Sequence, residues 1–522
     1  MAWARHGRFR GLRREAGFLD SVPAGRAEKT CSDLPGDGDI GMPTVPCILA
    51  PEEFMTHDVP ASDGETLHRQ IGSILELAGD PAFPGDVGGG DAGTQQRIRE
   101  LTAPLLERIS ENEVALVVIH LLGHRVFSTE TGVEVAASLL EHHAGDSEVL
   151  GLLGRALEGV HDLRLLNGPP PSHPVFRNVA TKLQQHVKDA TSVDAGMIEG
   201  LATSARLLGR SWDKVAEREL LDLVKILPDS WGPRYDLGLF YKTRGRFAEG
   251  QAANKAAWER GGHEDPGVLW NFGICATGAR DGETALGLWK RMGQNVEKGR
   301  RGLPEGRYPA TKVRLAQRPL AERGGNGVPD DPGLEETIWV ERLSPCHGVI
   351  RSAVYQDDIG VDFGDLILFD GAPVTYHMVG DQRTPVFPHL ATLSRENYRI
   401  HRFAGEQEEK GQLAALSGQM PHDAVVYVHT EQVHSLCARC WEDPGNDHAA
   451  HQQFARHIVT GKICAPPELP AAELRRILDD LLGVEPAIKL YAPELTAAAG
   501  DASRAATERR FVEALGRSLS SE

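Results

Sequence analysis

Two stretches of this chain repeat the same pattern of small and large residues, 35 positions apart, within residues 228–292. In the second copy Gly273 takes the place of Gly238, and Trp289 takes the place of Asn254. The first copy carries its pattern at Leu237, Gly238, Tyr241, Gly245, Phe247, Gly250 and Ala257. Repetition at a fixed interval of about 20–50 residues predicts stacked supersecondary units that bury one continuous core together.

This pattern resembles the tetratricopeptide repeat, a pair of antiparallel helices whose small residues allow a close approach. The resemblance covers residues 228–293. It implies a groove lined by the first helix of each unit, with a protein or peptide as the partner. By repeat position, the groove residues implied are Arg234, Leu237, Tyr241 and Asn271.

Helical periodicity also extends upstream of the two clear copies. A solenoid needs about three or more stacked units to bury its faces, so residues 98–226 are predicted to be divergent hairpins of the same array. Leu-Gly pairs at Gly123 and Gly154 echo those of the repeats. Residues 169–171, three prolines, interrupt the pattern because proline cannot continue a helix. A helical repeat domain is therefore expected over residues 97–293.

The chain of 522 residues is long enough for several domains, since one core rarely grows beyond about 250 residues. Residues 1–96 are predicted to be a largely disordered tail with a Gly/Pro-rich linker, and residues 294–335 a basic linker. Strand-like alternation begins after Glu336, so residues 336–522 are predicted to form an α+β domain. The expected fold class is multidomain, an all-α tetratricopeptide-like helical solenoid followed by this α+β domain.

Three signals support the α+β prediction. Residues 365–379 read as two strands around the turn Asp370-Gly371, which is a strong hairpin signal. Residues 424–429 form a short apolar run typical of a buried strand. Residues 470–483 begin with proline, end with glycine and carry leucines on one face, which predicts a helix.

The net charge of −18 argues against nucleic acid as a partner, because phosphate binding requires a basic surface. No run of about 18 apolar residues occurs, so no membrane partner is expected. Seven scattered cysteines do not form a disulfide framework, which favours a reducing, cytoplasmic compartment. Residues 1–29 are Arg-rich, and two interpretations stay open: a disordered tail, or a translation start at Met42.

A cluster of sulfur and nitrogen ligands suggests a zinc site in the C-terminal half. Cys437 and Cys440 are followed by His448 and His451, and Zn²⁺ prefers such a tetrahedral set. The interval between the second cysteine and the first histidine is shorter than in common zinc fingers. The alternative is that both cysteines are half-buried small apolar residues.

Two classes of function follow. The first is a protein-interaction scaffold that binds a partner through the groove of its repeats, with a C-terminal domain that holds zinc. The second is a metal- or cysteine-dependent enzyme with its chemistry around Cys346, His429, Cys437 and Cys440, where the repeats recruit substrate. Acidic residues between Asp357 and Asp370 suggest a hard-cation site, against the default of a solvated acidic face. The explicit repeat and the lack of a catalytic motif favour the scaffold.

Overall fold

The computed structural model describes residues 71–77, 92–160, 171–190, 194–324, 327–380, 382–421, 423–436 and 454–519. Its N-terminal half is helical. The helices are α1 Ala92–Leu106, α2 Asn112–Gly123, α3 Thr129–His143, α4 Ser147–Val160, α5 Pro174–Asp189, α6 Ala195–Leu207, α7 Asp213–Ile226, α8 Gly232–Thr243, α9 Phe247–Glu259, α10 Pro266–Gly278 and α11 Gly282–Arg291. Residues 71–77 are also helical, and Ile74 is buried in the same core. Part of the predicted tail is therefore folded.

The turns inside the helix pairs share one geometry. In three of them a residue adopts a left-handed backbone, at Arg125, Gly245 and Arg280. The next residue then closes the turn with a bond from its N–H to a carbonyl five residues back. These bonds are Val126 N to Leu121 O at 3.2 Å, Arg246 N to Tyr241 O at 3.0 Å and Asp281 N to Ala276 O at 2.9 Å. The α2–α3 pair therefore turns as the two clear repeats do.

Small residues set the spacing of the helices, as the sequence predicts. A Cβ atom at Gly238 would lie 2.4 Å from the Asn254 side chain in the partner helix α9. Between units the contact is tighter still, because a Cβ at Gly200 would lie 2.3 Å from the carbonyl oxygen of Gly151. Helices α4 and α6 therefore touch through their backbones. Only glycine allows this approach.

Twelve strands make up the β structure of the described residues. They are β1 Val296–Lys298, β2 Pro304–Gly306, β3 Thr311–Ala316, β4 Glu335–Arg342, β5 His347–Ile350, β6 Leu366–Phe369, β7 Thr375–Val379, β8 Gln382–Ser394, β9 Arg399–Gln407, β10 Val425–Leu436, β11 Phe454–Ala465 and β12 Lys489–Tyr491. Strands β1 and β2 pair with each other. Residues 294–335, predicted to be a linker, thus contain three strands, and β3 belongs to the main sheet.

The main sheet closes into a small barrel. Its order is β3-β4-β5-β6-β8-β7, and β8 also pairs with β3 in parallel, so that five strands complete the circle. Alternate residues of each strand point inward. Ile367 and Phe369 join the interior cluster with Val313 and Phe387, while Leu366 and Leu368 lie outside it. Closure removes the free edges that an open sheet would expose.

The predicted hairpin around Asp370-Gly371 is wrong in its pairing. Both strands form, as β6 and β7, but each pairs with β8 instead of with the other. The Asp370 carboxylate accepts hydrogen bonds from the Gly371 N–H and from Lys242 in helix α8. Strands β6 and β7 therefore follow one another along the same side of β8, where β6 pairs with residues 389–394 and β7 with residues 382–386.

A second, antiparallel sheet follows the barrel, with order β10-β11-β9-β12. Its strand β10 contains the strand predicted over residues 424–429, but β10 lies at the edge of the sheet, and of residues 425–429 only Val426 is buried, so the predicted burial is wrong. One face packs against helix α13, Ala471–Val484, through Leu474 and Leu478. This helix is the one predicted over residues 470–483. The remaining helices are α12 Gln412–Ala415, α14 Pro493–Ala498 and α15 Ala502–Leu519. No helix in these described ranges is long and apolar enough to cross a membrane.

Candidate functional site

The first helices of successive pairs, α2, α4, α6, α8 and α10, form one side of the repeat array, here called the first-helix face. Helix α2 packs on α4, and α4 packs on α6. Ion pairs cross this face from one unit to the next. Arg155 Nε lies 3.2 Å from Glu199 Oε1, and Arg206 Nη2 lies 2.7 Å from Glu158 Oε1. Both pairs join α4 to α6 and are partly buried, so their geometry is fixed.

Asp236 of helix α8 continues this row of charges. Burial raises the pKa of its carboxyl to about 7, against the lowering effect of Arg206, while the negative charges of Glu199 and Glu158 raise it further. Burial likewise raises the pKa of Glu199, which Arg155 partly offsets. The row therefore combines fixed positive charges with carboxyl groups whose charge depends on their surroundings.

The C-terminal end of the first-helix face is covered by the chain's own barrel. Lys242 Nζ lies 2.9 Å from Asp370 Oδ2 of the barrel and donates to Asn271 Oδ1 at 2.7 Å. The two charged side chains are only 6% and 10% exposed. Trp270 packs beside them, and a Cβ at Gly371 would lie 1.6 Å from its Nε1 atom. The barrel thus lies directly against α8 and α10.

An apolar cluster extends this contact around the ion pair. From the repeats it includes Trp270, Ile274 and Trp289, all buried. From the outer face of the barrel it includes Cys346, Val349, Leu366, Leu368 and Leu390. Burial of such side chains contributes about 1.5–3 kcal/mol each relative to exposure in water. The repeats and the barrel therefore share one hydrophobic core at this end of the array.

The four groove residues implied by the repeat resemblance are all buried within the chain. Arg234 donates to the carbonyl oxygens of Leu227 and Ser230. Tyr241 donates to Glu217 at 3.0 Å and packs with Leu237 between helix pairs. Asn271 donates to the hydroxyl of Tyr235 at 3.1 Å. Partner binding at these four positions stays a prediction, and a partner there would have to displace these internal contacts.

Sequence reasoning did not single out the charges that cross the first-helix face. The members of this row are Arg155, Glu158, Glu199, Arg206 and Asp236. A signal was present, because Arg155 and Glu158 lie three positions apart on α4, and Glu199 and Arg206 lie seven apart on α6. Both spacings place the two side chains on one side of a helix. The irregular spacing of the upstream pairs concealed their alignment.

The predicted zinc ligands Cys437, Cys440, His448 and His451 lie outside the described residues. Within the described residues, no group of three or more His, Cys, Asp or Glu side chains could hold a metal ion. The acidic run is occupied by other partners, since Asp370 pairs with Lys242 in the repeats. Lys462, from the second sheet, pairs with Asp357 at 2.7 Å and with Asp362 at 2.8 Å.

Two residues of the enzyme alternative, Cys346 and His429, have environments that disfavour acid–base chemistry at neutral pH, while Cys437 and Cys440 lie outside the described residues. Cys346 is fully buried, and burial raises the pKa of its thiol to about 12. Its neighbour His347 bonds to Ser344 Oγ at 2.5 Å, and burial lowers the pKa of this imidazole to about 3. The pKa of His429 falls to about 4, mainly through burial. A catalytic cysteine requires the thiolate, which burial here opposes.

No protein-family model matches this chain, and no curated protein sequence matches it. Solved structures that are similar to part of it include the following three. A MamA structure is 15% identical with a TM-score of 0.24, over 31% of this chain and 80% of its own. A second structure, described as MamA AMB-1, is 17% identical with a TM-score of 0.25. The match covers 34% of this chain and 86% of the MamA AMB-1 chain. YrrB, described as a TPR protein with an unusual peptide-binding site, is 15% identical with a TM-score of 0.24. The match covers 37% of this chain and 89% of the YrrB chain.

The tetratricopeptide-like repeat itself is confirmed over α8 to α11. Two antiparallel helix pairs occupy residues 232–291, at the positions that the repeated pattern predicts. Gly273, the counterpart of Gly238, faces Trp289, with 2.6 Å between a Cβ built on the glycine and the indole ring. The chain is therefore a multidomain protein with a helical repeat segment and a β-rich C-terminal half.

Proposed function

We propose that this protein is an interaction scaffold that binds a protein or peptide partner along the first-helix face, across α4, α6 and α8. One observation carries the proposal: a row of partly buried ion pairs, Arg155–Glu199 and Arg206–Glu158, crosses the side of the array that the barrel leaves clear. Charges held by pairing and burial suit specific recognition, because they are oriented before a partner arrives.

The partner expected is a segment with charges of both signs. Arginines and carboxylates alternate along the row, so a partner of one sign would meet repulsion at every second position. The charged side chains are 15–34% exposed, which leaves their edges accessible while their positions stay fixed. Lys242 is excluded from this surface, since its contact with Asp370 of the barrel leaves its side chain only 6% exposed.

A charge swap tests the surface without removing its ion pair. In the variant Arg155→Glu/Glu199→Arg the pair is retained, but the charges presented to a partner are reversed. The matched control is Arg476→Asp/Asp480→Arg, a swap of an exposed pair on helix α13. Proteins from cells that make this chain are captured on the wild type and on both variants, then identified by mass spectrometry.

We expect a partner that is retained by the wild type and by the α13 swap, and that is lost by at least about tenfold with the first-helix swap. Retention of the same proteins by all three forms would contradict binding at this surface. The thermal unfolding midpoint of each variant is also measured, to establish that all three proteins are folded when their captured partners are compared.

The zinc tetrad of Cys437, Cys440, His448 and His451 is a second proposal, and it concerns stability instead of partner choice. Four thiolate and imidazole ligands would form a closed structural site, which couples metal binding to folding. Elemental analysis of the purified protein is expected to give about one zinc per chain, lost in Cys437→Ser/Cys440→Ser. A wild type free of zinc after purification with added zinc would end this proposal.

A further inference from the structure

A cavity of about 400 Å³ lies where the barrel meets the second sheet. Its walls come from the barrel loop before β6, from the start of β9 and from helix α14. Cavities that bind small molecules commonly have volumes of about 300–1,000 Å³. This one has the size for a small metabolite.

Three carboxylates in the wall are used to build the cavity. The Asp357 carboxylate accepts from Arg402 at 2.6 Å and from Lys462 at 2.7 Å. The Asp362 carboxylate accepts from Lys462 and from the N–H groups of Val354 and Phe363. Lys462 is only 1% exposed. Burial of a charged group is stable only when it is paired and hydrogen-bonded, so these groups hold the wall in place.

Asp365 is committed in the same way. Its two oxygens accept from the N–H groups of Glu396 and Asp362, at 2.9 and 3.2 Å. The bond to Glu396 fixes the segment that leads into β9. Its neighbour Asn397 adopts a left-handed backbone with φ of 54°, a conformation that L residues rarely adopt. The loop beside the cavity is therefore shaped by internal hydrogen bonds.

Two charged groups of opposite sign remain at the cavity. Arg395 is exposed and donates to the carbonyl oxygen of Gly360. Glu494, in the first turn of α14, is also exposed. Within the described ranges neither side chain has an ion-pair partner within 4.0 Å, unlike Asp357, Arg402 and Lys462. The guanidinium can still donate hydrogen bonds to a carboxylate, and the carboxylate can still accept them from an ammonium group.

The remaining wall is apolar and aromatic. The rings of Phe363 and Tyr398 contact edge to face, with their centroids 5.2 Å apart, and Val361 and Ile400 lie beside them. Such side chains favour burial of an apolar group of a ligand. Besides the carboxylates and Arg402 that bond to one another or to neighbouring groups, the wall thus offers one further cation, one further anion and an apolar surface.

We propose that this cavity binds a free α-amino acid with an apolar side chain. Arg395 would bind the α-carboxylate and Glu494 the α-ammonium group, while the apolar side chain packs on Phe363 and Tyr398. This chemistry follows from the opposite charges that remain after Asp357, Asp362 and Asp365 are committed. The proposal is independent of partner binding at the first-helix face.

Isothermal titration calorimetry on the full chain tests it, with L-leucine and L-phenylalanine as probes. We expect saturable binding with a Kd below about 1 mM for at least one of them. Two analogues separate the charges: L-leucinamide lacks the carboxylate, and 4-methylpentanoate lacks the ammonium group. Each analogue is expected to bind at least about tenfold more weakly than L-leucine.

Two variants test whether the amino acid binds at Arg395 and Glu494. Arg395→Gln and Glu494→Gln are each expected to weaken binding by at least about tenfold, since each removes one charged contact. Arg476→Gln, on the exposed face of α13, is the control and is expected to bind as the wild type does. No saturable binding of either amino acid by folded wild type would overturn the proposal. Equal affinity of the wild type and both cavity variants would do the same.

Discussion

Asp236 shows how one residue of the first-helix face responds to its neighbours. Its carboxyl lies near two arginines and two glutamates, and burial is the largest influence on its pKa, which rises to about 7. An unfolded aspartate has a pKa of about 3.9. Between these two values the folded chain holds a proton that the unfolded chain has lost. Stability contributed by this group is therefore complete below about pH 4 and is lost as the pH rises through about 7.

We expect Asp236→Asn to remove this pH dependence. Below about pH 4 the variant and the wild type should have similar free energies of unfolding, because the wild-type side chain is then neutral in both the folded and the unfolded state. At pH 8 the variant should be more stable by about 1–3 kcal/mol, since it avoids a half-buried charge. Urea unfolding at several pH values measures both curves. Curves that run parallel from pH 5 to pH 8 would show that Asp236 keeps an ordinary pKa.

At the scale of elements, the contact between α4 and α6 decides how the upstream helix pairs stack. Gly151 and Gly200 meet through their backbones, and Ser204 Oγ donates to the Gly200 carbonyl at 2.5 Å. The ion pairs Arg155–Glu199 and Arg206–Glu158 lie across the same two helices. The close approach of the backbones therefore also aligns the charges of the proposed binding surface.

Gly200→Val should separate α4 from α6. The added Cβ would lie 2.3 Å from the Gly151 carbonyl oxygen, so the helices must move apart, at a cost of about 1–3 kcal/mol or more. The matched control is Gly287→Ala in helix α11, where a Cβ meets nothing within 4 Å. This control should stabilise the helix by about 0.5–1 kcal/mol, because alanine has the higher helix propensity. Thermal unfolding compares the two, and a destabilisation equal in both would refute the contact.

The elements that local sequence determines were predicted well. Helices α8 to α11 follow from the repeated glycines, and α13 follows from its terminal Pro and Gly signals. The pairing around Asp370 was mispredicted, because a turn signal of two residues was outweighed by a contact with Lys242, 128 positions away. Strand β3 was missed, since six residues with Gly and Pro nearby resemble a linker. The row of charges on the first-helix face was not predicted, because it depends on how α4 and α6 align with each other, and no local sequence pattern reveals that alignment.

At the scale of the molecule, the repeat array and the barrel are joined at one end of the first-helix face. Burial of the Lys242–Asp370 pair is tolerated because Asn271 and the Gly371 N–H complete its hydrogen bonds. The surrounding tryptophans and leucines provide the apolar core of the contact. The barrel thus fixes which part of the face is left for a partner, namely the part formed by α4, α6 and the start of α8.

A double-mutant cycle between Lys242 and Asp370 tests this arrangement most directly. Lys242→Met and Asp370→Asn should each destabilise the protein by about 3–5 kcal/mol, because each leaves the other group buried without its partner. The double variant should be destabilised by less than the sum of the two single variants, with a coupling free energy of about 2 kcal/mol or more. Lys225→Met with Asp222→Asn, a pair 74% and 40% exposed, is the control and should couple by less than about 0.5 kcal/mol. Additive effects of the Lys242 and Asp370 substitutions would contradict the contact between the barrel and the repeats.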